Sequence, residues 1–232
     1  MKRFENKTAL ITGASRGIGA SVAKALAKEG AHVILVARSV GGLEEVDDEI
    51  QALGGQATLV PLDLLELNAI DSLAAPLYER WKKLDILVGA AATLGKLTPV
   101  HQYDPKLWED VFKLNFHANW RLLRALDPLL RNAEHGRALF VTAKEANMAK
   151  QFWAGYASSK AALQEMVRTY AAETAKSNLC VNLIEPTPTA TKLRLSAYPG
   201  EDQSKLATAD EQAALFLDAL SPEFSKSGEI IR

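Results

Sequence analysis

Short β-branched runs alternate with longer amphipathic segments along most of this chain. Such short runs predict strands buried on both faces of a parallel sheet, and the segments between them predict crossover helices. The predicted strands are residues 8–12, 32–37, 57–62, 86–90, 138–142, 179–184 and 229–231. The predicted helices are residues 17–28, 42–52, 66–82, 106–118 leading into 120–130, 153–177 and 209–220.

This alternation predicts a doubly wound α/β fold with three layers, α/β/α, around a seven-stranded, mainly parallel sheet. A length of 232 residues allows one large domain or two small ones, but no linker, charge block or repeat interrupts the path to Ile184. We therefore expect one domain over residues 1–232. Prolines interrupt the rhythm over residues 185–205, which predicts a long loop with a short helix at a strand's carboxyl end. That is the place of a substrate lid.

A glycine-rich loop, TGASRGIG at residues 12–19, joins the first predicted strand to the first predicted helix. Glycines there let the backbone approach a pyrophosphate, and the helix N-terminus offers free N–H groups and the positive end of its dipole. The alternative is an ordinary turn in which the glycines serve packing, because short glycine motifs often match by chance.

The end of the second predicted strand bears on the choice of dinucleotide. An NAD site usually has an acidic residue there to bind the ribose 2′-hydroxyl. This strand ends in Val36-Ala37-Arg38-Ser39, with no acid before Glu44. Arg38, assisted by Arg16, can instead hold a 2′-phosphate, so NADP(H) is favoured over NAD(H). The alternative is a pair of solvated arginines.

Tyr156 and Lys160 stand four residues apart at the start of the longest predicted helix and share one face. An ammonium beside a phenol lowers the phenol's pKa from about 10 and makes it a usable proton donor or acceptor. Taken alone the pair is weak evidence, since a surface lysine beside a half-buried tyrosine gives the same pattern.

The order of these motifs resembles the short-chain dehydrogenase/reductase family. The resemblance combines TGASRGIG, Asp63 after the third strand, Asn115 in a mid-chain helix and YASSK at residues 156–160, and it runs from about Thr8 to Ile231. It implies a Rossmann-type fold and hydride transfer between NADPH and a carbonyl or alcohol substrate. Residues 193–202 are similar to a bacterial subgroup whose substrates are mostly unassigned.

The resemblance also implies a role for each matching residue. Tyr156 would protonate the carbonyl oxygen, Lys160 would bind the nicotinamide ribose, and Asn115 would hold a water of the proton relay. The implied cofactor-binding residues are Gly13, Ser15, Arg16, Gly17, Ile18, Gly19, Arg38, Asp63, Leu64, Ala91, Lys160, Pro186 and Thr191.

The chain departs from the family pattern at two places. Ala143 stands thirteen residues before the tyrosine, where the family has a catalytic serine that donates a hydrogen bond to the substrate oxygen. Thr142 is a poor replacement, because neighbours on a strand point to opposite faces. Residues 89–92 read GAAA where the family commonly has NNAG, so polar side chains that brace the sheet are missing.

Two functions remain open at this stage. The first is an NADPH-dependent reductase, favoured because Tyr156, Lys160 and Asn115 are all present. The second is a cofactor-binding protein with little turnover, a sensor or scaffold, which Ala143 suggests. Trp153 and Tyr198, together with Ala143, are candidate substrate contacts, and the alternative for Trp153 is a core or interface position.

The composition of the chain limits the classes of molecule that it can bind. The chain has 27 Lys plus Arg against 28 Asp plus Glu, which argues against a nucleic-acid or polybasic membrane surface. Cys180 is alone, so a disulfide within the chain or a cysteine-rich metal site is excluded. With no signal peptide and no long apolar run, we expect a cytoplasmic protein without a membrane span or a metal.

The resemblance implies a homodimer or homotetramer built on the helices at residues 106–130 and 153–177. Leu122, Leu123, Leu126 and Leu129 form an apolar stripe that suits such an interface or the sheet. The family usually continues a little beyond the point that corresponds to Arg232.

Overall fold

The structure is a computed structural model and describes residues 2–232. Its centre is one sheet of seven parallel strands in the order β3-β2-β1-β4-β5-β6-β7. The order reverses between β1 and β4, so the predicted doubly wound α/β fold is confirmed. The strands are β1 (Thr8–Thr12), β2 (His32–Ala37), β3 (Gln56–Pro61), β4 (Ile86–Gly89), β5 (Gly136–Val141), β6 (Leu179–Ile184) and β7 (Ile230–Ile231).

Helices connect successive strands and cover both faces of the sheet. They are α1 (Gly17–Lys28), α2 (Val40–Ala52), α3 (Leu67–Asp71), α4 (Ala74–Trp81), α5 (Pro105–Phe112), α6 (Ala118–Arg131), α7 (Ala154–Glu173), α8 (Lys192–Ala197) and α9 (Ala209–Leu220). A π-helical turn, Lys113–His117, joins α5 to α6 without a break.

Alternate side chains along the strands build two cores, which give the fold its three layers. Ile11 of β1 packs with Leu26 of α1 and Phe216 of α9 on one face. Leu10 of the same strand packs with Leu163 of α7 on the other face. The four leucines of the α6 stripe are buried in this second core, so the stripe faces the sheet.

Several elements begin or end at residues other than the predicted ones, and side-chain hydrogen bonds account for two of these differences. α7 ends before residue 177 because the Thr174 hydroxyl donates to Tyr170 O at 3.0 Å and Ser177 donates to Thr174 O at 2.7 Å. β5 begins earlier than predicted because buried Arg137 is accommodated in the strand. Its guanidinium donates to three backbone carbonyls, of Gly136, Ser221 and Pro222.

The helix predicted for residues 66–82 is two short helices, α3 and α4, separated at Ser72 and Leu73. The segment after β6 is not one open loop. It carries α8 and a 3-10 turn, Gln203–Lys205, and Thr189 forms a bridge to Ala207. This segment therefore folds back over the carboxyl ends of the strands.

Candidate active site

A cavity of about 1060 Å³ lies along the carboxyl ends of the strands, and loops after β1 to β6 line it. Its volume is at the upper end of the range for ligand sites. Every residue predicted to bind cofactor or substrate lines this cavity, and so do Tyr156 and Lys160. Asn115 is the exception among the predicted site residues.

The glycine-rich loop forms one end of the cavity, and its glycines are required by close backbone contacts. Gly13 has φ +67°, and a Cβ there would lie 2.9 Å from Ala91 Cα. A Cβ at Gly19 would lie 2.4 Å from Gly13 O. Gly17, with φ +57°, faces the Thr191 side chain across the loop. These contacts keep the loop against the first turn of α1, where free N–H groups face the cavity.

Two arginines flank the same end of the cavity. Arg38 directly follows β2 and its side chain is 65% exposed, with Nη1 3.8 Å from Asp63 Oδ2. Arg16 is an exposed residue at the N-cap of α1. No acidic side chain stands between Ala37 and Gly42. The loose Arg38–Asp63 pair leaves the guanidinium available to an anionic group in the cavity.

Tyr156 and Lys160 lie together at the other end of the cavity. Tyr156 is 7% exposed and Lys160 1% exposed, and the Lys160 Nζ lies 5.9 Å from the centre of the Tyr156 ring. Lys160 donates to Val141 O at 2.7 Å. Burial lowers the pKa of Lys160 to about 8, so keeping its ammonium charged costs the folded protein free energy.

The direction of the Tyr156 pKa differs from the prediction. Burial, and secondarily the charge of Glu145, raise the pKa of Tyr156 above its ordinary value. The phenolate is opposed by the loss of hydration on burial and by the nearby carboxylate, and the Lys160 ammonium, which donates to the Val141 carbonyl, does not reverse this direction. Tyr156 is therefore protonated at neutral pH, with its hydroxyl facing the cavity.

Aromatic rings cover this end of the cavity. Trp153, at the N-cap of α7, meets Tyr156 edge-on with ring centres 5.9 Å apart, and Tyr198 lies 5.5 Å from Trp153. Tyr198 follows α8, and its hydroxyl bonds to Lys150 and to Glu145. Residues 185–205 are thus attached, through Tyr198, to the segment between β5 and α7.

The arrangement combines a glycine cradle, a cationic edge, and a buried tyrosine and lysine at the far end. The family model for short chain dehydrogenases matches residues 7–202 of this chain. The chain belongs to the short chain dehydrogenase family. It is 34% identical over 217 residues to YciK, an oxidoreductase of Escherichia coli, across 92% of this chain and 86% of that protein.

Solved structures of the family superpose closely. A short chain dehydrogenase of Shigella flexneri in complex with NADP is 33% identical, with a TM-score of 0.94, over 99% of this chain and 97% of that chain. One from Escherichia coli in complex with NADPH is 33% identical, with a TM-score of 0.93 and the same coverage. The predicted short-chain oxidoreductase family is confirmed.

The family's serine position is occupied by Ala143, which lines the cavity beside Tyr156. The Thr142 hydroxyl is directed toward α7, where its Oγ1 accepts from Gln164 Nε2 at 2.9 Å. The substrate end therefore has no serine or threonine hydroxyl at the family's position.

Asn115 lies behind the cavity, in the π-helical turn, and is fully buried. Its side chain accepts from Thr93 N at 2.9 Å and donates to Thr93 O and to Ser159 Oγ. Its carbonyl accepts from Asn119 at 2.8 Å. These bonds fix the loop after β4 against α7.

The GAAA sequence at residues 89–92, where β4 ends, is held in place by residues outside it. Thr12 Oγ1 accepts from Ala90 N at 3.1 Å and from Ala91 N at 3.3 Å. A Cβ at Gly89 would lie 2.7 Å from Asn119 Oδ1, so Asn119 occupies the space that a side chain at residue 89 would need.

Sequence reasoning missed Thr12 and Glu145. Thr12 reads as an ordinary strand residue, and its role appears only when β1 and β4 are adjacent. Glu145 lies two residues after Ala143. Its position just after the end of a central strand is the sequence signal that could have identified it as a site residue. No helix among residues 2–232 is both long and apolar enough to cross a bilayer. The same residues contain no cluster of three or more metal-ligating side chains.

Proposed function

We propose that this protein is an NADPH-dependent reductase that converts a carbonyl substrate to an alcohol, with Tyr156 as the proton donor. The observation that carries the proposal is the buried Tyr156–Lys160 pair at the end of a cavity whose other end is a glycine cradle. The NADP and NADPH complexes of the two related structures support the choice of cofactor.

The cavity fits a dinucleotide phosphate. The loop of Gly13, Gly17 and Gly19 and the first turn of α1 would hold the pyrophosphate, and Arg16 and Arg38 would bind the 2′-phosphate. The remaining predicted contacts, Ser15, Ile18, Asp63, Leu64, Ala91, Pro186 and Thr191, line the same cavity. When bound, NADPH supplies the hydride.

The proton chemistry follows from the burial of the two side chains. The raised pKa of Tyr156 keeps it in the protonated form, which is the form that donates to a carbonyl oxygen. The Lys160 ammonium stabilises the phenolate that remains after donation. Residues 185–205 act as a substrate lid, since they cover Tyr156 and exclude water from the reaction. In this proposal, residues 1–232 form a single catalytic domain.

Ala143 supports a second candidate, a cofactor-binding protein with little turnover. Removal of an oxyanion-type donor costs about 10²- to 10³-fold in rate. The Tyr156 hydroxyl argues for the reductase, because Tyr156 lines the cavity and no hydrogen bond within the described residues occupies its hydroxyl, so the hydroxyl is available to a substrate.

We also propose that the protein is a homodimer or homotetramer that acts on a small-molecule substrate in the cytoplasm. The outer face of α6 supports the oligomer, since Trp120 is 44% exposed there between Arg121 and Arg124. Light scattering after size-exclusion chromatography measures the mass, and a monomer at micromolar concentration contradicts this part of the proposal.

The test is a titration with NADPH and NADH, followed by a panel of aldehydes and ketones on the same sample. We expect tighter binding of NADPH and its oxidation with at least one carbonyl class. Tyr156→Phe should retain cofactor binding and lose turnover by about 10²-fold or more. Binding without turnover in the wild type would favour the second candidate, and full turnover in Tyr156→Phe would overturn the proton-donor assignment.

A further inference from the structure

Glu145 places a carboxylate at the substrate end of the cavity. It lies in the 3-10 turn Lys144–Asn147, directly after Ala143, and is 6% exposed while lining the cavity. Its charge is close enough to Tyr156 to affect that phenol. Neither the glycine cradle nor the Tyr156–Lys160 pair uses this side chain.

The carboxylate has unused hydrogen-bonding capacity. The Tyr198 hydroxyl donates to Glu145 Oε1 at 3.3 Å, a long bond for this geometry. The Lys150 ammonium donates to the same Tyr198 hydroxyl and forms no ion pair with Glu145. A carboxylate offers about four acceptor sites, and the Tyr198 hydroxyl fills one of them, which leaves the others available at the cavity. A donor on a molecule in the cavity would fill them.

We propose that Glu145 is a specificity residue that accepts a hydrogen bond from a hydroxyl group beside the reacting carbon, so that the substrate is an α-hydroxy carbonyl compound. This rests on the proposed reductase. This bond would help to orient the substrate, since the protein lacks the family's serine donor at residue 143. The hydrogen bond to the substrate hydroxyl would replace the one that the serine would have made to the carbonyl oxygen.

The charges at this end favour a hydroxyl over an ammonium group as the donor. Lys144 and Arg194 line the same part of the cavity, with Lys160 beside Tyr156 and Lys150 over the Trp153 ring. Arg194 is neutralised by Glu201, to which it donates two bonds of 2.6 Å. The remaining lysines would repel an ammonium group.

The test compares three aryl ketones that differ in one group: α-hydroxyacetophenone, propiophenone with a methyl in its place, and α-aminoacetophenone. A site that hydrogen-bonds a substrate hydroxyl rejects the analogue without it strongly, so we expect kcat/KM for the hydroxyketone to exceed that for propiophenone by about 10²-fold or more. Glu145→Leu should reduce this ratio to about 1, and Glu145→Gln, which keeps an acceptor, should give an intermediate ratio.

Glu165→Gln is the matched control, since it removes one exposed carboxylate from α7 and should leave the ratio unchanged. A separate measurement is independent of turnover. Calorimetry of the NADP⁺ complex of Tyr156→Phe, which should bind the alcohols without oxidising them, should detect tighter binding of 1-phenyl-1,2-ethanediol than of 1-phenyl-1-propanol, and adding Glu145→Leu should abolish the difference. NADPH binding by each variant verifies that its fold is intact.

The outcomes separate the two proposals. Equal turnover of hydroxyketone and propiophenone by the wild type overturns the role of Glu145 while the reductase stands. Preference for the aminoketone overturns the choice of a hydroxyl donor. If no ketone is reduced, the reductase fails, and a diol preference that depends on Glu145 still supports the specificity role. Equal or absent binding of the two alcohols, with no turnover, overturns both.

Discussion

Replacement of Lys160 by methionine should stabilise the protein without cofactor at neutral pH while removing its activity. Burial lowers the pKa of Lys160 from 10.5 to about 8. The unfolded chain therefore binds more protons than the folded one between these pH values, and the free energy of unfolding rises with pH through that window. The two pKa values correspond to a cost of about 3 kcal/mol at neutral pH, of which about 1.8 kcal/mol is relieved between pH 7.5 and 9.5.

The assay is urea unfolding of the wild type and Lys160→Met, without cofactor, at pH 7.5 and 9.5. Other titrating groups are common to both proteins and cancel in the difference, whereas the lost bond to Val141 O contributes a nearly constant offset. We expect the wild type to gain about 2 kcal/mol relative to the variant over this range. Lys106→Met, at an exposed position, is the control and should behave as the wild type. Parallel pH dependence of wild type and Lys160→Met would refute the reasoning.

Two further predictions concern the ends of the cavity. Arg38→Asp removes a charge-assisted contact of about 1.5–3 kcal/mol, so NADPH should bind about 10- to 150-fold more weakly while NADH binds no worse; fluorescence titration at fixed salt measures both, and an unchanged preference contradicts a role for Arg38. Ala143→Ser should raise kcat on ketones with NADPH by about 10-fold or more, through the restored donor; steady-state kinetics measure it, and no change in an active enzyme shows that another donor already serves.

The fold was largely predictable because the strands are short and buried on both faces. β1, β2 and β6 have the predicted bounds, since their mostly apolar, buried runs leave few alternatives. Two of the errors lie where the hydrogen bonds of a polar side chain bear on the end of an element. Arg137 belongs to a strand because distant carbonyls accept from its guanidinium, and α7 ends at Thr174 because that hydroxyl bonds within the helix.

The candidate site was predictable as a set of residues but not in its energetics. The Tyr156–Lys160 spacing predicts a shared face, and the two side chains do lie together. The direction of the Tyr156 pKa depends on how deeply the lid segment and Trp153 bury the ring, and no local pattern contains that information. For the same reason the bracing role of Thr12 requires the pairing of β1 with β4.

The two departures from the family pattern lie at different ends of the cavity. Ala91 of the GAAA sequence packs against Gly13 of the glycine cradle, whereas Ala143 lies at the substrate end, two residues before the Glu145 carboxylate. Tyr156 lines the same end of the cavity, and no hydrogen bond within the described residues occupies its hydroxyl, so that hydroxyl remains available to a substrate. In the reductase that we propose, Ala143 and Glu145 therefore change how the substrate is oriented, while Tyr156 remains the proton donor.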